Sequence, residues 1–320
     1  MRRLAVLFLL ATPALADVEA AIDGHVLPRL TALSDATDAL AAAARESCDD
    51  LDEPFGAAAD AWAGASHLNL GPAEEEARFR AVFFWPDGRD ATGRGLRLLA
   101  QQGEAAWTPD ALTRASVAAR GLGALERAVF EGDAPRGTAV PCPLTQALAA
   151  DLAATAAVVE AGWRMGFAET MRTAGEAGNT RYLAPEEAEA ALFTALVTGI
   201  EFTADQRLGR PMGTFAEPRP LRAEMRRAGR SLANVTTALG SLRELAALLA
   251  EAPETDAALA RAVEIAEGLN DPVFAGVETP GGRLRVEALQ TAVREAGRAA
   301  DAEIGDALGV AAGFNSLDGD

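Results

Sequence analysis

Lysine is absent from this 320-residue chain, so all 29 basic residues are arginine, and they face 47 acids for a formal net charge of −18. A nucleic-acid binder needs a basic footprint to displace phosphate counterions. This chain offers none, so no nucleic acid is expected as a partner, and an anionic membrane surface is disfavoured for the same reason. Histidine occurs twice, as His25 and His67, and cysteine twice, as Cys48 and Cys142. A zinc enzyme of the usual kind needs at least one more nitrogen or sulfur ligand than two histidines supply. If the two cysteines are paired they cannot supply it, and any metal site must then be mostly carboxylate, which suits a hard ion, or iron held by oxygen ligands with one imidazole at most. The sequence has no H-E-x-x-H, no G-x-S-x-G, no P-loop and no G-x-G-x-x-G opening a helix after a strand. Aromatic residues are only 5% and isoleucine is scarce, which argues against a β-sandwich or barrel.

What is abundant is alanine, 75 residues in all. Alanine is the best helix former, with leucine close behind, so the expected class is all-α. Met1-Arg2-Arg3, the apolar run Leu4 to Leu10 and the Ala14-Leu15-Ala16 sequence before Asp17 have the layout of a secretory signal peptide cleaved after Ala16. The apolar run is too short to span a bilayer, which takes about 20 residues. The expectation is a periplasmic protein with no transmembrane segment after cleavage. Cleavage removes Arg2 and Arg3, so the mature charge is 27 − 47 = −20. In an oxidising compartment Cys48 and Cys142 read as a disulfide. The alternative is two buried free thiols.

Apolar residues recur at helical spacing over Val18 to Arg45, with a kink expected at Pro28. Further helices are expected at Phe55 to Leu70, Pro109 to Ala119, Gly121 to Phe130, Leu144 to Arg164, Pro185 to Leu208, Leu221 to Ala250, Asp256 to Leu269 and Leu284 to Leu308. Phe83 to Gly95, with its Trp85-Pro86-Asp87-Gly88 core, and Gly209 to Pro220 read as loops. Short connections suit antiparallel packing. A soft boundary near Gly175 divides residues 17–175, carrying the motif segment described below, from a second bundle at 176–320. Asp151 and Glu160, and the lack of positive flanks, argue against a membrane span in the long apolar helix after Cys142.

Five segments stand out in order: Ile22 to Arg29, Trp62 to Pro72, Phe84-Trp85-Pro86-Asp87, Gly121 to Phe130 with its Gly121-Leu122-Gly123-Ala124-Leu125-Glu126 start, and Arg227-Ala228-Gly229-Arg230-Ser231-Leu232. Together, and in this spacing, they resemble the imelysin family of exported bacterial helical proteins, over nearly the whole mature chain. The resemblance implies two four-helix bundles, a G-x-H-x-x-E motif near the groove between them, and a link to iron-uptake systems. In a helix, residues three apart share a face, so an imidazole and a carboxylate so placed can share a metal ion. Here Gly121 and Glu126 are kept, but Gly123 stands where the resemblance calls for histidine. A glycine offers no ligand.

Glu126 is accordingly the first candidate for binding a metal or ligand, with a surface or salt-bridged glutamate beside Arg127 as the alternative. His25 and His67 are candidates to replace the missing imidazole in space, against a plain role as satisfied, partly buried groups. Asp87 is a candidate ligand, or else a partner of Arg89 or a helix cap. Arg227 and Arg230, expected on the helix after the proline-rich loop, are candidates for gripping an anion, against ordinary ion pairs. No residue is assigned as catalytic. The reading that follows is a non-catalytic periplasmic protein binding iron or another divalent metal, or a metal-bearing ligand or partner, alongside iron-uptake or envelope proteins. The alternatives are a metallopeptidase using Glu126, which Gly123 disfavours, and an envelope scaffold with a decayed metal site.

Overall fold

The computed structural model describes residues 17–130 and 140–309, and these contain helices, turns and loops without a strand. Nine helices of ten residues or more organise the described residues. They are α1 (Leu27–Glu46), α2 (Asp52–Ala65), α3 (Ala91–Gln102), α4 (Gly121–Phe130), α5 (Cys142–Gly162), α6 (Pro185–Phe202), α7 (Ser231–Leu249), α8 (Pro253–Glu267) and α9 (Pro280–Ala300). The signal segment expected at residues 1–16 lies outside the described residues.

The helices form two antiparallel bundles. In the first, α1 packs on α2 and α5, and α4 packs on α5; in the second, α7 and α9 both pack on α8 and on α6. The packing of α2 against α7 joins the two. One core gathers Leu40, Phe55, Trp62, Leu122, Leu125 and Leu148. The other gathers Trp163, Leu192, Leu239, Phe274, Leu289 and Val293. Two long helices serve both. On α1, Leu30 belongs to the second core and Leu33 to the first; on α5, Ala156 belongs to the first and Val159 to the second. The 31-residue run Cys142–Arg172 is apolar enough to match a membrane span by length and composition, and half of its most apolar window is buried in the fold. Asp151 within it is buried against Arg120, whose Nε and Nη2 both lie 2.8 Å from its carboxylate oxygens. Cys48, just after α1, is bonded to Cys142 at the start of α5, with 5.8 Å between Cα atoms.

Several helix limits differ from the sequence reading. The irregularity at Pro28 takes the form of a π-helical turn, Ile22–Val26, running into α1. Proline has no N–H to donate, and the wider turn lets the Leu27 N–H reach back to the Ile22 carbonyl instead. The expected loop from Phe83 ends earlier, because α3 starts at Ala91 and takes in Gly95. There a Cβ would stand 2.6 Å from that of Ala119, so glycine serves close packing rather than a turn. The helix expected from Leu221 begins only at Ser231. Residues 223–230 form a loop with left-handed backbone at Met225 (φ 43°) and Gly229 (φ 68°). Arg227 lies on this loop, and Arg230 sits at the N-terminal boundary of α7 rather than inside a helix.

Candidate functional site

Gly121 opens α4 with φ +66°, and a Cβ there would run into the Ala81 and Val82 carbonyl oxygens. Only glycine fits that start. Gly123 is different. A Cβ built on it meets Phe83 Cε2 at 3.5 Å and the Phe84 carbonyl at 3.7 Å, ordinary contacts. The backbone therefore does not demand glycine at the position where the resemblance calls for histidine. Gly123 instead leaves open the wall of a recess of about 120 Å³.

That recess is built from three pieces of chain. The Phe83–Gly88 strip supplies Trp85, Pro86 and Asp87; α4 supplies Gly123, Glu126 and Arg127; the segment around residues 210–227 supplies Arg210, Arg222, Met225 and Arg227. Trp85 is fixed by a parallel stack on Phe83, with centroids 6.4 Å apart, and by an edge contact with Phe202 at 5.8 Å. The first bundle and the segment leading to α7 thus meet at this recess.

Glu126 is 6% exposed. Its Oε1 accepts the Arg227 N–H at 2.8 Å and the Ala228 N–H at 3.4 Å, and its Oε2 lies 4.0 Å from the Arg227 guanidinium. Burial pushes its carboxyl above the usual range, against the opposing pull of Arg227, those N–H groups and Arg226. Asp87 caps α3: Oδ1 accepts from Ala91 N–H at 2.9 Å and Arg89 N–H at 3.3 Å, and Oδ2 from Thr92 N–H at 2.8 Å. Partial burial opposes its ionisation, but these bonds outweigh it and hold the carboxyl below its ordinary value. Both carboxylates of the recess are therefore engaged by backbone donors.

The two histidines are elsewhere, facing each other. His25 Nε2 and His67 Nε2 are 2.9 Å apart, both rings are buried, and neither lines the recess. Burial, with the charge of Arg29 and against Glu244, lowers His25 to about 4. Burial, with His25, Arg29 and Arg207, lowers His67 well below the usual range. Two neutral rings sharing one hydrogen bond satisfy this geometry. Of the two arginines singled out from sequence, Arg227 lines the recess, while Arg230 lies outside it, in an ion pair with Asp60. Sequence reasoning missed Arg210 and Arg222. Their only signal is the density of arginines bordering the proline-rich loop at Arg210, Arg219 and Arg222.

The residues present do not fit a bare metal ion. Gly123 supplies no donor, Asp87 and Glu126 already accept hydrogen bonds from backbone groups, and no histidine is at hand. Among the described residues no three His, Cys, Asp or Glu side chains gather closely enough to hold a metal.

The sequence matches the imelysin family over residues 25–300. In fold the chain is similar to the crystal structure of an imelysin-like protein from Psychrobacter arcticum 273-4, with a TM-score of 0.74 at 19% identity, covering 93% of this chain and 96% of that one. It is also similar to a structure from Parabacteroides distasonis ATCC 8503 described as an iron-regulated protein A precursor, with a TM-score of 0.64 at 14% identity over 91% and 92% of the two chains. No curated protein matches the sequence. With the family match spanning most of its length, the chain belongs to the imelysin family.

Proposed function

We propose that this chain is an exported, non-catalytic binding protein that takes a metal-bearing ligand in the recess beside Gly121–Glu126, in the service of iron acquisition. The observation that carries the reading is the state of the recess. It sits at the family motif, its two carboxylates are engaged by backbone N–H groups, and its lining holds four arginines. Such a lining repels a bare cation and accepts a ligand that brings its own donors to the metal. A metallopeptidase would need a held ion and a metal-bound water, and Gly123 with an engaged Glu126 supports neither. Export is supported by the Met1–Ala16 layout and by the Cys48–Cys142 bond, which an oxidising compartment maintains. The iron link rests on the name of the Parabacteroides neighbour and on the family, and on this reading the protein would work beside iron-uptake or envelope proteins in the periplasm.

Calorimetry on the mature, untagged chain tests this. Iron(II), zinc(II) and copper(II) are titrated as bare ions, and iron(III) as its citrate chelate and as a neutral hydroxamate chelate. The expected result is no micromolar binding of the bare ions, binding of a chelate, and loss of that binding when Gly123→Trp fills the recess. Micromolar binding of a bare ion, abolished in Glu126→Ala, would replace this reading with a direct metal site. Silence with every probe would sink it.

A further inference from the structure

The charge on the recess runs against the charge on the chain. The whole molecule carries −18, yet the recess is lined by Arg127, Arg210, Arg222 and Arg227 against only Asp87 and Glu126. Two of the four arginines are accounted for: Arg127 Nη2 lies 2.6 Å from Asp90 Oδ1, and Arg227 faces Glu126. The other two are not. Arg210 and Arg222 make no ion pair among the described residues, although acids outnumber arginines 47 to 29. The half-buried Arg210 has its Nε held by Gln206 Oε1 at 2.6 Å. That bond fixes the side chain and leaves its outer nitrogens uncommitted. Burial and the neighbouring charge of Arg222 both work against the charged form of Arg210, which is the signature of two guanidinium groups brought together without a counter-charge.

We propose that Arg210 and Arg222 anchor an oxyanion in the recess, so that the ligand of this protein is recognised through clustered carboxylate or phosphate oxygens. This deepens the reading of the recess as a ligand site and rests on it. Planar guanidinium forks match such oxygens in paired, charge-assisted hydrogen bonds. Trp85 and Pro86 add apolar surface to the same lining. The volume, about 120 Å³, is that of about four waters at ~30 Å³ each. It suits a small oxyanion, or the anionic end of a larger chelate whose remainder stands in the mouth. A hydroxycarboxylate that grips iron and presents spare carboxylates fits both requirements, and inorganic phosphate shares the same recognition chemistry.

The test uses the mature chain and three probes: citrate, inorganic phosphate and a neutral iron hydroxamate chelate. Binding is followed by calorimetry and by tryptophan fluorescence, since Trp85 lines the site. Citrate or phosphate is expected to bind, with affinity falling as salt rises. Arg222→Gln, at an exposed position, and Arg210→Gln should each weaken that binding about tenfold or more, with thermal midpoints near that of the parent. Tighter binding of citrate than of phosphate would assign a carboxylate ligand; the reverse order would assign phosphate. Anion binding that neither substitution weakens overturns the proposal. Hydroxamate binding in the recess without any anion binding also overturns it, while leaving the recess as a ligand site. No binding of any probe removes both readings together.

Discussion

Gly121 and Gly123 are two residues apart and answer to different forces. At Gly121 the backbone is left-handed and any Cβ collides with two carbonyl oxygens. Gly121→Ala should cost about 2–4 kcal/mol in urea unfolding. At Gly123 the backbone is helical and the space is open. Gly123→Ala should be neutral or stabilising, by up to about 1 kcal/mol. Equal effects at the two positions would refute this division. The histidine pair gives a second prediction at this scale. An unfolded histidine titrates near 6.5, whereas His25 in the fold is lowered to about 4, so as pH falls through this window the unfolded chain takes up protons that the fold refuses. Stability should therefore decline from about pH 6.5 down to about pH 4, by roughly 3 kcal/mol from this group, and level off below. Carboxylates titrate in part of the same range, so the measurement is a comparison. Replacing His25 with Gln should reduce the fall of the unfolding midpoint between pH 6.5 and 5, with the buried His67 supplying the remainder, and an unchanged slope would contradict the assignment.

At the scale of elements, Glu126 works as a tether. It lies on α4 of the first bundle and accepts two N–H groups from the loop that leads to α7 of the second. Glu126→Ala leaves those partly buried donors without their acceptor, at a cost of about 1–3 kcal/mol. Amide exchange should accelerate at Arg227 and Ala228 ahead of the rest of the chain. Glu126→Gln keeps an acceptor oxygen and should protect both amides more than Ala does. Exchange that is unchanged in Glu126→Ala would argue against the tether. The same element shows where sequence reasoning stopped. The apolar pattern continues across Leu221 to Arg230 and reads as the start of a long helix. The chain instead turns left-handed at Met225 and Gly229, because the Glu126 carboxylate captures backbone N–H groups that a helix would use internally. That partner is 101 residues away, and no local pattern announces it. By contrast, the cap on α3 was among the readings open from sequence, since an aspartate shortly before a helix is a local signal.

At the scale of the whole molecule, the disulfide joins two helices that already share both cores. Cys48 and Cys142 are separated by 94 residues, and in the chain-entropy model closing such a loop limits the unfolded ensemble by about 4–5 kcal/mol. Cys48→Ser should lower the urea midpoint accordingly, and reduction of the parent chain should mimic it. If the reduced and oxidised chains unfold together, the bond contributes through neither route. Because α1 and α5 each run through both cores, this loss should reach both bundles in one transition rather than in two.

Alanine and leucine in helical periodicity determine an all-α chain, since helix propensity acts within a few residues and needs no distant partner. Sequence also marks the Gly121–Glu126 segment, and it suggests the disulfide by leaving Cys48 no other cysteine but Cys142. The positions of the charges in space are another matter. His25 and His67 face each other across 42 residues and away from the recess at the motif, which accords with the plain alternative of buried, hydrogen-bonded groups. Glu126 is held by a loop from the second half of the chain, and Arg210 and Arg222 line the same recess, with the charge of Arg222 felt at Arg210. Each is decided by how preformed helices pack. Side-chain electrostatics depends on distances of a few ångström between groups far apart in sequence, and only the tertiary structure sets those distances.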